Sequence, residues 1–262
     1  MHRLPQQWLM LALLLSLALL NSLVQPWAFE RQSESRTGYT IVARIPHDPR
    51  AFTQGFLFHD GAFYESTGLY GQSSLRRLDA DSGEVLQQIE LPANLFGEGL
   101  ALVDDRLIQL TWREGVALVY DRESFSLLGE FHYATEGWGL TFDGQQLIMT
   151  DGSARLYFRD PDTFQLLGTR VVTENAQPVT RLNELAYING EVWANVFMTD
   201  DIVRIDPHTG RVVARHDFSD LLSPADHHGN EDVLNGIAYD AEGQRLFITG
   251  KRYGFIYQIE LK

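Results

Sequence analysis

GEGLALVDDRLIQLTW, residues 97–112, holds a glycine-rich start, an alternating apolar run, a tight turn and a second apolar run. The same phrase is written four more times: TQGFLFHDGAFYEST (53–67), GWGLTFDGQQLIMTDG (137–152), LNELAYINGEVWANVF (182–197) and LNGIAYDAEGQRLFITGK (234–251). Aligned on Gly55, Gly99, Gly139, Glu184 and Gly236, the copies stand 44, 40, 45 and 52 residues apart. Apolar–polar alternation is the mark of a half-buried strand. The intervening turns HDG, VDD, FDG, ING and DAEG are rich in residues that tolerate positive φ in short hairpins. Each copy is therefore a hairpin.

A second phrase follows each of the first four copies: SLRRLDADSGEVLQQIEL (74–91), ALVYDRESFSLLGEF (117–131), LYFRDPDTFQLLGTRVV (156–172) and IVRIDPHTGRVVARHDF (202–218). Its strand ends in Asp79, Asp121, Asp160 or Asp206 before a turn, and recurrence at every copy marks these acids as structural. Two hairpins per period make the four-stranded blade of a β-propeller. The fifth copy is followed by one strand only, IYQIEL (256–261), while TIVARI (40–45) has no hairpin partner of its own. Placing TIVARI as the missing outer strand closes the ring and removes an exposed edge. The expected fold is all-β, a five-bladed propeller over residues 39–262 closed by its N-terminal strand. A two-sheet sandwich would leave the period unexplained. The longest interval contains SDLLSPADHHGNED (219–232), expected as a surface loop.

Composition narrows the function. The 262 residues are 44% hydrophobic and 21% charged, ordinary globular usage. The absence of cysteine excludes disulfides, thiolate catalysis and Cys-based metal sites. Thirty-five acids against 21 Lys and Arg give a net charge of −14, the wrong sign for a nucleic-acid partner. At the N-terminus, Arg3 precedes an apolar run from Trp8 to Leu20 broken only by Ser16. Its length suits a signal-peptide core and falls short of the roughly 20 residues that span a bilayer as a helix. Residues 1–28 are read as a signal peptide, with 29–38 as a polar lead-in. Pro26-Trp27-Ala28 lacks a clean A-x-A, so retention as an uncleaved anchor is the other reading. Either way the protein is expected in the periplasm or outside the cell, as a monomer.

In a propeller the first strand of each blade lines the central channel, and the mouth collects the corresponding residues of all blades. Here these are Phe52-Thr53-Gln54, Phe96-Gly97-Glu98, Gly137-Trp138, Leu182-Asn183-Glu184 and Leu234-Asn235. Ends of the second strands add Glu65-Ser66-Thr67, Thr111-Trp112, Thr150-Asp151, Asn195-Val196-Phe197 and Thr249-Gly250-Lys251. A repeat built only for packing would place similar residues at these positions. Instead an amide, an acid, indoles, phenyl rings and a lysine converge, which describes a small-molecule pocket. Glu98, a bulky charge between two glycines, points most directly to function. Trp112 and Trp138 taken alone read more readily as core aromatics, while Lys251 reads equally well as a solvated cation and Asn183 as a partner for nearby backbone. His227 and His228 lack acidic or histidine partners at ligand spacing, so no metal and no cofactor are expected. Phosphate-loop, nucleophile-elbow and zincin motifs are absent.

Nine short stretches carry a family resemblance: FTQG (52–55), ESTGLYG (65–71), FGEGL (96–100), LTW (110–112), EGWGLT (136–141), LNEL (182–185), WANV (193–196), LNGIA (234–238) and TGK (249–251). In this order the chain resembles the plant-type glutaminyl-peptide cyclotransferases, which also occur in bacteria. The resemblance implies a five-bladed propeller. It implies conversion of N-terminal glutamine of peptides and proteins to pyroglutamate with release of ammonia, without the zinc of the animal enzymes. It also implies Glu98 as catalytic acid, with Asn183 and Lys251 beside it. Phe52, Gln54, Phe96, Trp112, Trp138 and Phe197 then form the substrate pocket. Two positions depart from the family pattern, Phe197 and Tyr253, where tryptophan is usual. The competing readings are an exported propeller that binds a peptide or protein without chemistry, and a metal-dependent propeller hydrolase built on Glu98, Asp151, Asn183 and Asn235.

Overall fold

A computed structural model describes residues 34–35 and 38–262. Each hairpin pair folds into an antiparallel sheet. Blade one comprises Thr53–His59, Ala62–Thr67, Ser74–Asp79 and Val85–Glu90. Blade two comprises Gly97–Val103, Arg106–Thr111, Val116–Asp121 and Leu127–His132. Blade three comprises Leu140–Phe142, Leu147–Met149, Arg155–Arg159 and Leu166–Val171. Blade four comprises Leu182–Ile188, Glu191–Val196, Asp201–Ile205 and Val212–Asp217. Blade five has Leu234–Asp240, Arg245–Gly250 and Phe255–Leu261. Tyr39–Pro46 pairs antiparallel on its outer side, with Ile45 opposite Ile256, and Glu34–Ser35 extends that edge. The signal segment read over residues 1–28 lies outside the described residues.

The first strands of the blades pack against one another around the channel, and burial falls outward along each sheet. Between blades the cores are aromatic and aliphatic. Phe63, for example, lies 4.9 Å from both Phe56 and Phe247 at the seam of blades one and five. Each such buried side chain contributes about 1.5–3 kcal/mol.

Near the mouth the backbones approach too closely for side chains. A Cβ on Gly55 would lie 2.5 Å from the Leu100 nitrogen, and one on Gly99 2.5 Å from the Leu140 nitrogen. Blade four carries Glu184 at the aligned position. Its Oε1 accepts from Phe56 N at 3.2 Å and its Oε2 from Ile237 N at 2.9 Å, tying blade four to blades one and five.

Three details differ from the sequence expectation or refine it. Blade three pairs over only three residues in each of its first two strands, and Trp138, whose N–H still donates to Thr150 O at 3.0 Å, also bonds blade two, as does Gly137. Gly137 N donates to Trp112 O, and Trp138 O accepts from Gly99 N. A small hairpin of Thr173–Glu174 with Gln177–Pro178 joins blades three and four. His227 and His228 do have an acidic neighbour: Glu231 lies 3.8 and 3.7 Å from their rings and accepts the Gly229 N–H at 2.9 Å. The tight Gly229 turn brings them together. Among the described residues, no three His, Asp or Glu side chains are grouped to hold a metal ion. The 219–232 segment is a loop, anchored by buried Leu221.

The recurring aspartates serve their turns. Asp79 Oδ1 accepts the N–H groups of Asp81 and Ser82, and Asp160 Oδ1 those of Asp162 and Thr163. These are side-chain-closed turns of the Asx type.

Candidate active site

Four of the five inner strands break register at the same place. The shift falls between Thr53 and Gly55, Gly97 and Leu100, Leu182 and Leu185, and Leu234 and Ile237. A bulge re-aims side chains that a regular ladder would hold against the sheet. Here the re-aimed stretches contain Gln54, Glu98, Asn183 and Asn235. Blade three reaches a similar result by starting its ladder only after Trp138.

Gln54, Glu98, Trp138 and Asn183, with the ends of the second strands, border a cavity of about 500 Å³, which Asn235 does not line. Phe52, Gln54, Phe96, Glu98, Trp112, Trp138, Asn183, Phe197 and Lys251 all line it. Its aromatic wall is continuous: Phe96 lies 6.2 Å from Phe52 and 5.5 Å from Trp112, and Trp138 meets Phe197 edge-on at 5.5 Å. The polar groups sit deepest, with Gln54, Glu98, Asn183 and Lys251 each no more than 4% exposed.

Glu98 Oε1 accepts from Gln54 Nε2 at 2.9 Å, and Gln54 Oε1 in turn faces Asn235 Nδ2 at 3.4 Å. Burial pushes the Glu98 carboxyl well above the usual carboxylate range; Lys251 opposes that rise, and Glu136 and Glu114 add to it. Among the described residues Lys251 makes no ion pair. Its Nζ lies 4.9 Å from the Phe52 ring and 5.0 Å from the Phe197 ring, a cation held by aromatic faces. Burial lowers its pKa, against the pull of Glu98 and Asp232. Asn183 does not bond neighbouring backbone through its side chain: its buried Oδ1 has no partner among the described residues. A buried amide without a partner is costly unless something else supplies one.

Three lining residues were not singled out from sequence. Leu69 and Met198 hold φ of 82° and 67°, a strained region for bulky residues, and both stand at the rim. Such strain clusters at binding sites. Asp232, at the end of the 219–232 loop, lines the cavity and bonds Lys251 backbone to backbone at 3.0 Å. Tyr253 is not in the lining. It is 4% exposed, and its carbonyl faces His47 Nδ1 at 3.0 Å.

A buried acid held well above the usual carboxylate range, a buried lysine between aromatic faces and an aromatic cage form a compact reaction chamber. The sequence model described as Glutamine cyclotransferase matches residues 13–261. The chain belongs to the glutamine cyclotransferase family. Within that family it is 44% identical over 227 residues to the glutaminyl-peptide cyclotransferase of Arabidopsis thaliana, covering 85% of this chain and 71% of the relative. The crystal structure of Myxococcus xanthus glutaminyl cyclase superposes with a TM-score of 0.79 at 38% identity. That match covers 86% of this chain and 96% of the bacterial one. As a glutamine cyclotransferase family member, the chain shares the five-bladed propeller.

Proposed function

We propose that this chain is a glutaminyl-peptide cyclotransferase that closes N-terminal glutamine of peptides and proteins to pyroglutamate and releases ammonia. The observation that carries the reading is Glu98: a buried acid, hydrogen-bonded to Gln54 and facing a cavity, in a chain of this family. Burial lifts its pKa above the usual carboxylate range, which suits a group that must accept and return a proton.

The reaction needs little more. The neutral α-amine attacks the side-chain amide carbon, forming the ring C–N bond. The nitrogen then gives a proton to Glu98. Glu98 returns it to the amide nitrogen as the old C–N bond breaks, and ammonia leaves. A peptide α-amine has a pKa of about 7.7–8.0, so a useful fraction is neutral at working pH. Lys251 supplies a charge for the developing oxyanion. The open Oδ1 of Asn183 accepts an N–H of the substrate. Gln54 holds Glu98 in place. Phe52, Phe96, Trp112, Trp138 and Phe197 cage the aliphatic stem and keep water out, which favours cyclisation over hydrolysis to glutamate. The protein works outside the cytoplasm, a reading supported by the apolar run from Trp8 to Leu20.

The test is ammonia release from a Gln-initiated dipeptide, with pyroglutamyl product identified by mass. Turnover undiminished by chelator is expected. Absence of turnover would leave a peptide-binding propeller, and loss in chelator restored by a divalent ion would indicate a metal-dependent enzyme.

A further inference from the structure

Trp112 follows a strand of blade two and Trp138 opens blade three, yet both indole N–H groups donate to one atom. Glu136 Oε2 accepts Trp112 Nε1 at 2.8 Å and Trp138 Nε1 at 3.0 Å. The other oxygen, Oε1, accepts from Arg113 Nε at 3.0 Å. The Arg113 guanidinium lies 3.8 Å over the Trp112 ring, closing the cluster from its outer side. Indole has a single N–H, so the position of its acceptor decides which edge faces the cavity. With both N–H groups turned onto Glu136, the two walls offer the cavity carbon surface only.

Ordinary packing does not require this. Trp193 in blade four is buried with no partner for its Nε1 among the described residues, and it stacks on His216 at 5.7 Å. An indole in this fold is held by neighbours alone. The shared acceptor appears where two indoles from different blades bound one cavity.

We propose that Glu136, held by Arg113, is a positioning residue that fixes Trp112 and Trp138 as the parallel-acting walls of the glutamine cage. The inference rests on the proposed function. Glu136 touches no reacting atom; it acts through the indoles. A cage for the aliphatic stem binds ground state and transition state alike, so its loosening raises KM and leaves kcat nearly unchanged. Glutamine at this position keeps a carbonyl acceptor for the indoles and discards the charge, which separates positioning from electrostatics.

The experiment compares Glu136→Ala and Glu136→Gln in the full chain, with a Gln-initiated dipeptide for kinetics and acrylamide quenching of tryptophan emission without substrate. For Glu136→Ala, KM should rise about tenfold with kcat within about threefold, and quenching should increase. For Glu136→Gln, both readouts should return to within about threefold of wild type. Unchanged KM and quenching in Glu136→Ala would overturn the proposal. So would a Glu136→Gln variant as impaired as Glu136→Ala, since charge and not position would then be the cause. If Glu136→Ala does not fold, Arg113→Met carries the test, and its KM should rise about two- to threefold; no change in KM or quenching would overturn the proposal. Wild-type protein that releases no ammonia would refute the proposed function, while the quenching arms would still decide whether Glu136 holds the indoles.

Discussion

Glu98 and Glu184 stand one position apart in the aligned repeats, both buried in inner strands, and burial pushes both carboxyls well above the usual range. They have opposite surroundings. Glu184 is closed in by backbone, each oxygen taking an N–H from a different blade. Among the described residues Glu98 has one side-chain hydrogen-bond partner, the Gln54 amide, and it faces a cavity. A third buried glutamate, Glu65, is neutralised instead: His47 Nε2 at 3.0 Å, Thr53 Oγ1 at 2.7 Å and Arg76 at 3.8 Å surround it. Burial alone would raise the Glu65 pKa, but His47 and Arg76 outweigh it and hold it low. The comparison teaches how this fold separates structural from reactive carboxylates. Structural ones are engaged by backbone N–H groups or by cationic neighbours. The one proposed to react bonds a neutral amide and faces open space.

Making one substitution at both positions sharpens the contrast. Glu98→Gln keeps shape and removes proton transfer, so kcat should fall by roughly 10²–10⁴ with KM little changed. Its thermal stability should match or exceed wild type. The sign follows from the raised pKa: the stabilising proton is present below the unfolded pKa and lost as pH rises through the folded one. Since Gln does not ionise, the Tm advantage of Glu98→Gln should grow with pH over that window. Melting curves across pH check this, and a falling advantage would contradict the burial argument.

Glu184→Gln should do the reverse. The amide has one acceptor where the carboxyl had two, so one buried N–H is stranded at a cost of about 1–3 kcal/mol. Denaturant unfolding should register that loss, while turnover of the folded protein stays within about threefold. If Glu184→Gln instead abolished turnover without loss of stability, the two glutamates would have to exchange roles.

The smallest effect is expected at the cavity wall. Phe197→Trp restores the aromatic usual in the family beside Trp138, which it meets edge-on. KM for a Gln dipeptide should stay within about threefold or fall. A collapse of activity would mean that the cage has adapted to the smaller ring.

Much of the fold was legible because it repeats. Alternation fixed the strands, and Asp79, Asp121, Asp160 and Asp206 marked turns by recurring. The cavity residues were legible for the opposite reason: Gln54, Glu98, Trp138 and Asn183 occupy one repeat position and mix amides, an acid and an indole there. What escaped reading depends on distances between blades. Glu136 lies next to Trp138 but far in sequence from Trp112, and nothing in EGWG tells that its carboxylate serves both. Leu69 and Met198 owe their place at the rim to left-handed backbone that no glycine announces. The short ladder of blade three was hidden because Gly137 and Trp138 read as regular strand yet make one backbone bond each to blade two.

The central claim is that Glu98 moves the proton, and the pH dependence of kcat/KM for ammonia release tests it most directly. The accepting form is the carboxylate, so activity should be lost as pH falls through the raised Glu98 pKa, with an acid limb above the ordinary value near 4.3. That limb should vanish from the residual activity of Glu98→Gln. A limb at the ordinary carboxylate value, or one that persists unchanged in Glu98→Gln, would contradict the claim.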